Sequence, residues 1–252
     1  MRKRISPSNP KSSSPRFWGR HAVLAALANP DRVVRKLWGT KEALDTLDLP
    51  PVLPIQYCGV ADLARLIPSD APHQGLVADV EPLEDPWLDS LLEAAQKKPR
   101  PILVLDQVTD PHNLGARLRS AAAFNALCII TQDRHSPPES GVVAKSASGA
   151  LELVPWLRVV NLARTLDVLA EADYWRIGLA GEVGTPLSGA LGPARVALVL
   201  GAEGAGMRHN ISEHCDQLAR LPIHPRMESL NVSNAAAIAL YAVAEAARSK
   251  GE

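Results

Sequence analysis

Three stretches of this 252-residue chain carry side chains whose types and spacing could do chemistry. The first is LDQVTDPHNLGARLRSAAAFNA, residues 105–126. A strand ending at Asp106 runs into a proline-containing turn, and Asn113 suits the cap of the helix that follows. In that helix Leu114, Leu118 and Ala122 form an apolar stripe, and at about 100° per residue Arg117 and Arg119 flank it on opposite sides. At most one arginine therefore faces a site beside the strand ends, and spacing leaves open which. The plainer reading is a capped helix with two solvated arginines.

The second stretch is LVLGAEGAGM, residues 198–207. Three glycines after a buried strand allow a tight loop with exposed amides and a close approach of ligand to backbone. Counted from Gly201 the spacing is G-x-x-G-x-G, which is not the dinucleotide fingerprint, and Glu203 inside it would repel a pyrophosphate. A neutral or cationic ligand suits such a loop better, and a plain turn is the alternative. The third stretch is LPIHPRMESLNVSNAAAIALYA, residues 221–242, where a strand enters a loop dense in hydrogen-bonding groups: Glu228, Ser229, Asn231, Ser233 and Asn234. Ser233 or Asn231 could serve merely as helix cap.

The elements that must position these loops form two groups. Ahead of residue 82 lie short pieces: helix-like 20–28, strand-like 35–39, helices over 41–47 and 59–67, and a strand within 73–80. An acidic, proline-containing stretch then runs to KKPRP at 97–101. From residue 101 the elements lengthen, with strands over 102–106, 127–131, 174–180, 195–201 and 217–223. Helices are expected over 113–125, near 140–148, over 161–172 and over 233–248. Apolar, β-branched strands alternating with helices predict a parallel sheet covered on both faces. The expected organisation is a disordered basic arm over 1–16, a small α/β domain over 17–82, a linker over 83–100 and a main domain over 101–252. The last helix carries no charge from Ala235 to Ala244, so it needs cover on most sides, from its own domain or from a second copy.

Bulk composition narrows the class. The 27 basic residues balance the 27 acidic ones, so the chain as a whole is no electrostatic glove for nucleic acid. Residues 1–20 are different: Arg2, Lys3, Arg4, Lys11, Arg16 and Arg20 occur without an acid among serines and prolines, and the arm over 1–16 fits either a solvated tail or a phosphate-holding role. No stretch approaches the ~20 apolar residues of a spanning helix, and no signal-peptide core follows the first charges. Cys58, Cys128 and Cys215 lack metal-site or disulfide spacing, so a reducing cytoplasm is expected.

Taken in order, the three motifs resemble the SpoU branch of the SPOUT methyltransferases over essentially all of residues 101–252. The front part is similar to that family's RNA-binding substrate domain through GRHAVLAAL at 19–27 and HQGLVADV at 73–80. Such a front domain is typical of the 23S rRNA guanosine enzymes, whereas the shorter tRNA methylators usually lack it.

The resemblance implies an α/β fold: a C-terminal SPOUT domain with a parallel sheet and a deep trefoil knot, behind a small N-terminal α/β RNA-binding domain. It implies S-adenosylmethionine as cofactor, with contacts on Gly201, Leu221 and Leu230, and no metal. It also implies an obligate homodimer packed through the knotted faces. The family's essential arginine lies six residues after the motif asparagine, which maps it to Arg119. Asn113, Glu203, Ser229 and Asn231 match positions kept around the family's active site. The implied reaction methylates a ribose 2′-hydroxyl of 23S rRNA, free or in an assembling large ribosomal subunit, with DNA inert. The same chemistry on tRNA and a catalytically silent RNA-binding or ribosome-assembly protein are the competing readings. The joint presence of the five site residues speaks against the silent one.

Overall fold

The computed structural model describes residues 14–192 and 195–249. The first half is built on β1 (Arg16–Trp18), α1 (Arg20–Ala28), β2 (Val34–Gly39), α2 (Lys41–Leu44), β3 (Ile55–Tyr57), α3 (Val60–Ala64) and β4 (Leu76–Val80). The four strands lie in the order β1-β4-β2-β3, with β4 antiparallel to both neighbours and β3 parallel to β2. Strand alternation sends Phe17, Leu37, Leu76 and Ala78 to one core with Val23 and Ala26 of α1. Trp18 and Val77 go to the other face, under Leu63 of α3.

After α4 (Leu88–Ala94) come β5 (Ile102–Leu105), α5 (Pro111–Ala123), β6 (Cys128–Gln132), α6 (Gly141–Ala147), β7 (Trp156–Val159), α7 (Leu162–Glu171) and β8 (Trp175–Leu179). The chain ends through α8 (Leu187–Ala190), β9 (Val196–Leu200), α9 (His209–Ser212), β10 (Gln217–Ala219) and α10 (Val232–Ser249). The six strands form a wholly parallel sheet in the order β10-β8-β9-β5-β6-β7. Leu103, Leu105, Ile129, Leu198 and Leu200 join a core with α5, α6 and α10. Ile102, Val104, Cys128, Ile130, Ala197 and Val199 join another with α4 and α7. Both faces are thus covered, as the run of buried apolar strand residues predicts.

Several local expectations change. The cap of α5 is Asp110, whose carboxylate accepts from the His112 and Asn113 amides, with Pro111 opening the helix, so α5 starts before Asn113. The strand expected over 217–223 pairs with β8 only as far as Ala219, and Arg220 adds a single bridge to Pro186. The stretch 83–100, expected as linker, contains α4, held because Leu88 and Leu92 are buried on the large sheet. The arm expected over 1–16 lies outside the described residues up to residue 13, and Arg16 opens β1. In α10, Ala236, Ala239, Leu240 and Val243 are buried, whereas Ile238 and Tyr241 are about half exposed at 46% and 50%. Within one chain that helix is covered on one side only.

Candidate active site

β5 and β9 are parallel neighbours in register, Leu105 beside Leu200, yet the chain leaving each goes to different parts of the fold. Adjacent strand ends of this kind form the crevice in which open α/β sheets hold ligands. From Leu105 the chain enters the first motif and from Leu200 the glycine loop. Asp106, fully buried, locks the two together: its amide donates to the Leu200 carbonyl at 2.8 Å. Its carboxylate accepts from Arg208 Nη2 at 2.6 Å, Arg208 Nε at 3.0 Å and the Arg208 amide at 3.0 Å. Arg208 Nη2 also donates to Gln132 Oε1 at 2.8 Å, on the next strand.

Between those anchors the glycine loop folds back on itself. Ala202 and Gly206 exchange backbone hydrogen bonds at 3.0 Å. Gly201 is buried, and a Cβ there would overlap the Gly206 carbonyl carbon and the Met207 amide. Only glycine allows this approach. Glu203 stands exposed at the loop tip.

The third motif reaches the same place from β10. Leu221 and Leu230 are half-buried, Leu221 against the main core, and residues 224–229 between them are exposed. Asn231 caps α10, its Oδ1 accepting from the Ser233 amide at 2.9 Å and the Asn234 amide at 3.4 Å. Ser233 Oγ then reaches across to α5, 2.9 Å from Asn113 Oδ1 and 3.3 Å from the Asn113 carbonyl. Asn113 and Asn231 are therefore linked through one serine, Asn231 accepting from its amide and Asn113 from its hydroxyl. Ser229 and Arg119 are exposed, and neither joins that hydrogen-bonded cluster.

Arg117 and Arg119 meet opposite environments. Arg119 points to solvent, while Arg117 is 1% exposed and its Nε and Nη1 have no hydrogen-bond partner among the described residues. Burial pushes the Arg117 guanidinium down to about 10, against the upward pull of the Glu203 and Asp110 charges. Sequence reasoning missed three features here: the Asp106–Arg208 lock, the burial of Arg117 and the bridging role of Ser233. The first carried a signal, an acid closing a buried strand; the other two depend on how α5 meets its neighbours α6 and α10. Among the described residues no group of His, Cys, Asp or Glu is placed to hold a metal ion. Nor is any described helix long and apolar enough to cross a membrane.

Comparison with known proteins identifies the family. The SpoU rRNA Methylase family matches residues 100–241, and the RNA 2′-O ribose methyltransferase substrate-binding family matches residues 17–86. The chain is 40% identical over 235 residues to the 23S rRNA (guanosine-2′-O-)-methyltransferase RlmB of Vibrio parahaemolyticus, covering 89% of this chain and 94% of that one. It is 39% identical over 232 residues to the protein of the same name from Escherichia coli, covering 89% and 96%. In fold it is similar to the SpoU methyltransferase AviRb from Streptomyces viridochromogenes, crystallised with AdoMet: TM-score 0.77, 22% identity, 93% of this chain and 90% of that one.

Proposed function

Because the chain belongs to the SpoU rRNA methylase family, we propose that it transfers the methyl group of S-adenosylmethionine to the ribose 2′-hydroxyl of a guanosine in 23S rRNA. The observation that carries this reading is the meeting of all three motifs at the ends of β5 and β9, through Asp106–Arg208 and through Asn113–Ser233–Asn231.

The residues suit the cofactor. The back-folded loop at Gly201 leaves backbone, not side chain, to face a flat adenine, and an acidic Glu203 favours a cationic sulfonium over a pyrophosphate. Gly201, Leu221 and Leu230 are proposed to hold it. When bound, S-adenosylmethionine supplies an electrophilic methyl group on a positively charged sulfur. The protein must then align a 2′-oxygen with that methyl and let one proton leave. Arg119 is proposed as the clamp on the 2′-oxygen and its neighbouring phosphate, for which its exposure on α5 is the supporting observation. Arginine stays protonated in ordinary surroundings, so a clamp suits it better than a base, and the proton goes to a neighbouring group or water. Asn113 and Asn231 are proposed to hold the mouth of the site in shape. Glu203 and Ser229 are proposed to line it.

The same reading assigns residues 17–82 to gripping the RNA and residues 101–252 to catalysis. It also makes the open face of α10 the seat of a second copy, supported by the exposed Ile238 and Tyr241 in the helix's uncharged stretch 235–244. Calorimetry tests the cofactor half of the reading: wild type should take up S-adenosylmethionine, and Gly201→Val should not. Uptake by neither would overturn it.

A further inference from the structure

We propose that Arg32 and Arg158 are positioning residues for methyl transfer, fixing the small sheet at one angle to the site so that only a ribose at a set place relative to the gripped RNA is methylated. This rests on the reading that residues 17–82 grip RNA.

Arg32 follows α1 in the small half, and its side chain is completely buried. Both acids that hold it belong to the large half. Its Nε donates to Glu152 Oε2 at 3.0 Å and its Nη2 to Glu152 Oε1 at 2.7 Å, a two-point fork, while Nη1 pairs with Glu139. Nη1 also reaches the Glu81 carbonyl at 2.6 Å, and Asn29 Nδ2 donates to Glu152 Oε2 at 2.8 Å. Glu139 Oε2 accepts from the Leu83 amide at 3.3 Å, so the connecting chain is tied in as well. A second fork lies on the same connection: Arg158 of β7 holds Asp85 through Nη2 at 2.6 Å and Nε at 3.2 Å, both side chains under 10% exposed.

An apolar seam alone can slide by a fraction of a side chain. A buried two-point ion pair has one register, because leaving it strands charges away from water. The seam is also closed by shape: a Cβ on Gly141 would overlap the Trp18 ring and the Arg16 carbonyl, so α6 lies directly on β1. Burial pushes the Glu139 and Asp85 carboxyls up, with their arginines pulling back down, which marks both pairs as desolvated. Charged groups placed at this depth cost desolvation that a purely apolar seam avoids, so their contribution is orientation.

The test uses full-length Arg32→Glu, Glu152→Lys and the combined exchange, which also carries Glu139→Gln so that the new glutamate meets an amide and not a second carboxylate. Measured are 23S rRNA affinity, S-adenosylmethionine affinity, the single-turnover methylation rate and the solution scattering radius. Each single variant should bind both ligands as wild type does, scatter as a wider particle and transfer methyl about a hundredfold more slowly. The combined exchange restores opposite charges and should recover rate and radius. Folded single variants that transfer at the wild-type rate would overturn the proposal, as would a slow rate caused entirely by weaker RNA binding. If the reversals do not fold, the milder pair Arg158→Met with Asp85→Asn carries the same expectation, and an unchanged rate there overturns it equally. Wild type failing to methylate RNA at all would instead sink the functional reading, with the scattering comparison still deciding the rigidity.

Discussion

Arg117 and Arg119 stand two positions apart on α5 and set the clearest contrast in the site. Arg117 bears the cost of burial, which pushes its guanidinium down to about 10, well below a free one. The unfolded chain therefore holds that proton more tightly, so the cost is present in full below about pH 10 and eases only above it. A shift of that size corresponds to roughly 3 kcal/mol. Arg117→Met, apolar and of similar reach, is accordingly expected to raise the thermal midpoint by several degrees, which differential scanning fluorimetry will read; a lowered midpoint would mean the cation is better satisfied than its environment indicates. Arg119→Lys should leave the midpoint and RNA affinity alone and slow turnover by about a hundredfold, since an ammonium loses the two-point fork. Retained turnover would argue against a clamp. Helical spacing placed the two arginines symmetrically about one stripe, and the packing of α6 and α10 on α5 breaks that symmetry.

The loops owe their shape to neighbouring elements. Gly201→Ala should cost both midpoint and cofactor uptake, because a methyl cannot occupy the space taken by the Gly206 backbone. Arg208→Met should leave the Asp106 carboxylate buried without its charge partner, destabilising the fold by about 3–5 kcal/mol, measurable by urea unfolding. Ser233→Ala removes the tie from α10 to Asn113 and should cost about 1 kcal/mol. The long elements were legible from apolar pattern, and so were the three loops. What was not legible has physical reasons. β1 and β3 span three residues each, too short to display alternation, and all of β3 is exposed. β7 contains an arginine, Arg158, which reads as surface until its pairing with Asp85 is known. α4 sits in an acidic stretch whose Leu88 and Leu92 show their purpose only once the large sheet exists. Asn113 was read as a cap, but Asp110 takes that part and frees Asn113 to meet Ser233.

Two sheets joined by buried charge pairs, with one half-open helix, predict how the protein behaves in solution. The apolar face around Ile238 and Tyr241 of α10 should be covered by a second copy, so sedimentation equilibrium should return twice the 27.0 kDa of one chain. Tyr241→Glu should reduce that to a single chain; a wild-type monomer would remove this part of the reading. The most direct measurement of all is a map of 2′-O-methylation on 23S rRNA after incubation with the purified protein and S-adenosylmethionine. One guanosine should gain a 2′-O-methyl group with wild type and none with Arg119→Ala, whereas methyl on a base, methyl on tRNA alone, or no transfer to ribosomal RNA in any form would contradict it.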